Sequence, residues 1–238
     1  GYLGRNSELL MDVSLSISVI HAPWVPLRRV FVAEMIKVMG GMETIHKECS
    51  KFQVQKDYNR SGCWPNARRC WMNGLAAKST HHLVLSDDAL PCKNFIQAVK
   101  EIIRHKPDEI ITLWNMRKIV LEAAQAGSSW YTTNEGAMGL ATLMPVDLLA
   151  KFLQWEKANI KPECPHDDTR ICAFARAAGK KIWHPCPNLC EHRAPNDSLL
   201  GYNNCRKVSK LFIGLDTDPM TIDWSRGLPS PPHGGGST

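Results

Sequence analysis

The sequence predicts an α/β domain with a mostly parallel central sheet flanked by helices, and three observations carry that prediction. Leu83-Val84-Leu85 is a short apolar run of the kind a strand buried on both faces shows, and it stops at Asp87-Asp88. Pro91 then opens a helical segment, with apolar residues recurring at Phe95, Ile96, Val99, Ile102 and Ile103 at helical spacing. Val13 to Ile20 alternates Val13, Leu15, Ile17 and Val19 with polar residues, as a strand does. A strand that ends in carboxylates and hands over to a helix places those carboxylates at the edge where open α/β sheets bind ligands.

The other elements follow in order. His21-Ala22-Pro23 is a loop, and Arg28 to Met39 places Val30, Phe31, Met35, Ile36 and Met39 on a helix closed by Gly40-Gly41. Lys51 to Gln55 reads as a second strand with Asp57 just beyond it. The loop Asn59 to Pro65 then leads into a helix over Asn66 to Lys78. Glu109 to Trp114, Ser129 to Thr133 and Gly136 to Leu143 are β-rich, and Pro145 opens a helix running to Trp155. The loop Lys161 to Pro165 precedes His166-Asp167-Asp168-Thr169, which opens a helix over Thr169 to Ala178 closed by Gly179. Lys181 to His184 resembles a last strand. The domain spans 1–228, and the Pro- and Gly-rich 229–238 is expected to be a disordered tail.

At 238 residues there is enough chain for one sizeable domain with its own core. No apolar run approaches the roughly 18 residues of a membrane span, and the first residues lack a signal pattern. The expectation is a soluble cytoplasmic protein, in the host cytoplasm if viral. Nine cysteines, an odd number, cannot all pair with one another, so reduced thiols are the simpler reading. A net charge of +6 favours an anionic partner, a nucleotide or a nucleic acid, although the basic pairs Arg28-Arg29, Arg68-Arg69, Lys180-Lys181 and Arg206-Lys207 are dispersed as solvated surface would be.

Two Asp-Asp pairs carry the chemistry. Adjacent carboxylates stay ionised together only beside a cation or several donors, and hard oxygen ligands suit Mg²⁺ or Mn²⁺. For Asp87-Asp88 the alternative is a solvated turn that caps the next helix, and for Asp167-Asp168 at a helix start it is capping too, because the helix dipole and backbone donors favour carboxylates there. His184, Cys186, Cys190 and His192 form one local cluster whose spacing could hold zinc, in which case the chain would be a zinc-stabilised nucleic-acid-binding module without catalysis.

The first strand with its loop, the stretch Gly62-Cys63-Trp64-Pro65-Asn66-Ala67-Arg68, the strand end Leu85-Ser86-Asp87-Asp88, the pair Asp167-Asp168 and the late His192 occur in an order that resembles nucleotide-sugar-dependent glycosyltransferases of the GT-A fold, over roughly residues 13 to 193. The resemblance implies a single Rossmann-like domain that moves a sugar from a nucleotide-sugar donor, most often a UDP-sugar, to an acceptor hydroxyl. It implies that Ser86-Asp87-Asp88 stands at the family's metal-binding DXD motif, with Asp88 as the better ligand for Mn²⁺ or Mg²⁺, Asp87 contacting the metal or the donor ribose, and His192 completing the shell. Ser86 stands where many relatives have an acid. By the same resemblance Asp168, with Asp167 beside it, is the catalytic base of an inverting transfer, while His21, Asp57 and Arg68 line the nucleotide and diphosphate pocket. The acceptor could be a glycan or a hydroxymethylated base in viral DNA. Trp64 and Trp71 suggest the latter, as rings that could stack on a flipped base, although tryptophans at helical spacing are more often core.

Overall fold

A computed structural model describes residues 12–134, 136–193 and 208–227; the expected tail at 229–238 lies outside them. In chain order the elements are β1 (Leu15–His21), α1 (Pro26–Val38), α2 (Gly41–Glu48), β2 (Lys51–Lys56), α3 (Cys63–Leu75), β3 (His81–Ser86), β4 (Ala89–Pro91), α4 (Phe95–His105) and β5 (Ile110–Thr112), followed by α5 (Lys118–Gln125), β6 (Trp130–Thr133), β7 (Ala141–Pro145), α6 (Val146–Asn159), α7 (Asp167–Ala177), β8 (Ile182–Pro185) and β9 (Cys190–His192). Seven strands form one sheet in the order β2-β1-β3-β7-β5-β8-β6, and β4 and β9 form a separate antiparallel ribbon. Strands β2, β1, β3, β5 and β8 share one direction, while β7 and β6 run against them. The sheet is therefore mostly parallel and flanked by helices, a Rossmann-like mixed α/β arrangement.

Strand alternation sorts side chains into two cores. Ile17, Val19, Leu83, Leu85 and Leu143 pack with Val32, Met35, Ile45, Phe95, Val99 and Ile103, so α1, α2 and α4 cover one face. Val84, Ile110, Met144 and Ile182 pack with Trp71, Phe152, Ile171 and Phe174, so α3, α6 and α7 cover the other. On that second face β1 places small Ser16 and Ser18, and α3 presents Gly74 against His82, where a Cβ would stand 2.4 Å from the imidazole. Small residues on both elements let the helix come close, and Ser16 Oγ satisfies His82 Nδ1 at 2.7 Å.

Several boundaries differ from the sequence reading, each for a local reason. Gly40, at φ +94°, both ends α1 and begins a second helix, α2, where the sequence pointed only to a stop. Pro91 does not open a helix: it closes β4, paired with Cys190 of β9, and α4 starts at Phe95 after Asn94 turns in the left-handed region. The β-rich stretch Gly136 to Leu143 yields only β7, and α5 is a helix that the sequence reading did not contain. Trp64 and Trp71 are core residues rather than exposed stacking platforms. Both rings meet Phe152 edge-on at 6.2 and 6.1 Å, because α3 turns them inward toward α6.

Candidate functional site

The carboxyl ends of β1, β2 and β3 open into a cavity of about 470 Å³, closed on the far side by the start of α7 and by His192. It gathers Asp57, Asp87, Asp88, Asp167, Asp168 and His192 into one space. Of the residues singled out from sequence, Arg68 is absent from its walls and His21 stands behind Asp87.

Asp87 and Asp88 follow β3 directly and are buried. Asp87 Oδ2 accepts from the Ala22 N–H at 2.8 Å and bonds His21 Nδ1 at 2.9 Å, while Oδ1 is paired with Arg28 Nη1. Arg28 also donates through Nη2 to Asp88 Oδ2 at 3.1 Å, and His192 Nε2 lies 3.5 Å from the same oxygen. One guanidinium thus bridges both carboxylates. Arg28 is only 5% exposed, so of the pair Arg28-Arg29 only Arg29 is the solvated surface that the sequence suggests. The signal for it was position: Arg28 lies in the first turn of the helix that follows β1, two residues after Pro26.

The second pair sits differently. Asp167 and Asp168 open α7, and among the described residues no Lys or Arg stands within ion-pairing distance of either. Burial in the cavity wall and the neighbouring Asp168 push the Asp167 carboxyl up to about 7, against the milder pull of the Asp168 N–H, which donates to Oδ1 at 2.9 Å. Asp168 accepts from the Thr169 N–H at 2.7 Å, so part of the capping role expected of this pair is realised. Gly139 lies against Asp167, and a Cβ there would approach Oδ1 to 2.6 Å. Only glycine leaves room for the carboxyl at this depth.

Asp57 is buried, which by itself would raise its pKa, but the Ser61 hydroxyl at 2.6 Å, the Ser61 N–H at 3.0 Å and Arg69 at 3.0 Å together hold it below the ordinary carboxylate range. It organises the loop before α3. Arg68, expected at the diphosphate, instead bonds Glu156 of α6 at 2.9 Å, and Glu156 also pairs with buried Arg170 at 2.9 Å. That corrects the expectation: Arg68 projects from the side of α3 that faces α6. Residues that the sequence reading missed, Arg28, Arg60, Trp24, Trp114 and Gly139, complete the cavity. Trp114 is held by its indole N–H to Glu191 at 2.8 Å, and its ring lies 5.9 Å from that of His192.

Among the described residues no group of three or more His, Cys, Asp and Glu side chains is assembled for a metal. The zinc cluster does not form. His184 is buried on β8 beside Asn115, Cys186 faces the Val120 carbonyl, Cys190 faces that of Leu113, and His192 turns to Asp88. For Mn²⁺ or Mg²⁺, Asp88 and His192 stand together at the cavity, but both oxygens of Asp87 are taken, so the expected set of Asp87, Asp88 and His192 is not presented as three ligands.

No family model matches the chain, and no curated protein matches it. Solved structures similar to it include A197 from STIV (TM-score 0.43, 12% identity, covering 76% of this chain and 85% of that one). A glycosyltransferase involved in the glycosylation of the major capsid of PBCV-1 gives a TM-score of 0.45 at 12% identity, covering 77% and 94%. UDP-glucose pyrophosphorylase complexed with UDP-glucose gives 0.44 at 8%, covering 73% and 90%. Scores this low establish no family.

Proposed function

We propose that the protein is a glycosyltransferase that takes a sugar from a nucleotide-sugar donor, a UDP-sugar in the first instance, and places it on an acceptor hydroxyl with inversion. The observation that carries this reading is the pairing, within one cavity, of the ion-paired Arg28-Asp87-Asp88 with a carboxyl at Asp167 that has no cation beside it among the described residues and is raised to about 7. A base works best when its pKa lies near the working pH, and Asp167 meets that condition, so the base role that the resemblance implies for Asp168 passes here to Asp167, with Asp168 supplying part of the upward push. The acceptor hydroxyl gives its proton to Asp167 as its oxygen bonds the anomeric carbon. The bond from that carbon to the diphosphate oxygen breaks, and the nucleoside diphosphate leaves with the electron pair.

Departure builds negative charge on the diphosphate, and preorganised positive groups lower that barrier. Arg28, Arg60 and the first turn of α3 at Gly62 and Cys63 line the same cavity. The Mn²⁺ or Mg²⁺ that the GT-A resemblance implies would find the Asp87 oxygens already spent within the protein. A glycan hydroxyl fits this reading better than a flipped base, since Trp64 and Trp71 are unavailable for stacking.

A panel of nucleotide sugars, read by thermal shift and by slow hydrolysis to free nucleoside diphosphate, tests the proposal. Stabilisation and hydrolysis by one donor is the expected result, because a ligand that binds only the native state raises its apparent stability. A folded protein that no donor stabilises would remove the transferase reading.

A further inference from the structure

Asp167 stands on the first turn of α7, and the chain that leads to it, 161–165, lies outside any helix or strand. What fixes that chain is Arg170, one turn further along α7. Its buried guanidinium donates to the Cys164 carbonyl through Nε at 3.2 Å and Nη2 at 2.7 Å, and through Nη2 also to the carbonyls of Lys161 at 3.0 Å and Pro162 at 3.2 Å. Nη1 donates to Glu156 Oε2 of α6 at 2.9 Å, and the guanidinium lies 4.3 Å from the centre of the Trp64 ring in the first turn of α3. Three helices and the loop between two of them therefore meet at one planar side chain. Two of those helices line the cavity, α7 through Asp167 and Asp168 and α3 through Cys63, Asn66 and Ala67.

A buried ion pair is seldom the most stable filling of its space, since apolar side chains of similar volume often do as well. A guanidinium differs in presenting its donors in a fixed plane, which satisfies three backbone carbonyls at once and admits one arrangement of the segments that carry them. We infer that Arg170, held by Glu156 and seated on Trp64, is a positioning residue that fixes the depth of Asp167 in the cavity wall. The inference deepens the transferase reading above and rests on it for the role of Asp167. Arg170 and Asp167 share one turn of α7, and the Asp167 carboxyl sits against Gly139, so a shift of that turn carries the carboxyl off this contact and toward water.

The test compares the full chain as wild type, Arg170→Lys, Asp167→Asn and the double variant, each melted at pH 4 and pH 8 after circular dichroism shows it folded. Lysine keeps a charge for Glu156 and loses the fork. The Asp167 carboxyl is raised to about 7 from 3.8, so the wild type loses stability as pH rises, and Asp167→Asn should melt at least about 5 °C above it at pH 8. In the Arg170→Lys background that gain should shrink below about 2 °C, because a carboxyl moved toward water titrates nearer its ordinary value. Asp168 and His166 beside Asp167, and Cys63 and Cys70 on α3, are present in both backgrounds and cancel from the difference. An Arg170 that only holds the fold together would lower every melting temperature alike and leave the gain intact, and that result overturns the inference. If Arg170→Lys does not fold, Glu156→Gln loosens the same clamp from α6 and should shrink the gain in the same sense. With a donor in hand, Arg170→Lys should lower kcat about tenfold at unchanged KM for the donor and move the acid limb of the profile to lower pH. An unmoved acid limb also counts as refutation. Failure of every donor removes the transferase reading alone, since the melting comparison needs no substrate.

Discussion

The same dipeptide occurs twice at one cavity and meets opposite electrostatic fates. Asp87-Asp88 leaves a central strand and is sealed by Arg28, His21 and a backbone N–H, whereas Asp167-Asp168 opens a helix where, among the described residues, backbone N–H groups and a threonine hydroxyl donate to it and no cation does. A buried carboxylate given a fixed cation becomes part of the scaffold. One denied a cation keeps its proton to higher pH and so becomes able to exchange it. Neighbours, not residue type, assign the two roles.

The largest effect should come from breaking the sealed pair. Arg28→Met leaves Asp87 and Asp88 buried without their cation, and removing one partner of a buried ion pair costs about 3–5 kcal/mol; urea melts should show it as a lower midpoint at unchanged slope. A loss below about 1 kcal/mol would mean that the pair is not a scaffold.

Asp167→Asn should act in the opposite sense on stability while removing activity. Transfer is expected to fall by about 10²-fold or more, since a positioned base contributes that much. The Asp167 carboxyl titrates near 7 in the folded chain and near 3.8 when unfolded, so between those values the native state binds more protons and stability falls as pH rises. The variant lacks that loss: it should melt at least about 5 °C above the wild type at pH 8 and level with it near pH 4. Equal melting temperatures at both pH values would remove the raised carboxyl from the account.

Gly139→Ala sharpens the comparison at one atom. Its Cβ would press on Asp167 Oδ1, so transfer should drop about tenfold with the melting temperature nearly unchanged, because misplacement of a catalytic group by about 1 Å is costly. Asp168→Asn should be milder still. With the neighbouring charge gone, the acid limb of the activity profile moves to lower pH by less than about one unit. Lys118→Ala, which breaks the exposed pair with Glu122, should change stability by less than about 0.5 kcal/mol and mark the floor of the scale.

Strand placement was legible wherever one residue decides locally. The alternation in β1 and the apolar run of β3 mark the centre of the sheet, and the helix period after Phe95 marks α4. Pro91 misled because a proline can close a strand as readily as it opens a helix, and the choice lay with Cys190, about a hundred residues away. Trp64 and Trp71 misled because helical spacing says that residues share a face without saying what that face meets.

By itself the sequence determined that this is an α/β chain with carboxylates at a strand end and at a helix start, since periodicity and punctuation are local properties of the chain. Only the tertiary structure decided that both pairs open into one cavity, that Arg28 and His21 serve the first pair, and that Gly139 gives the second its depth. Arg28 lies 59 positions from Asp87, and Gly139 stands 28 before Asp167. Coulomb interactions and steric contact depend on distance in space, which separation along the chain does not encode.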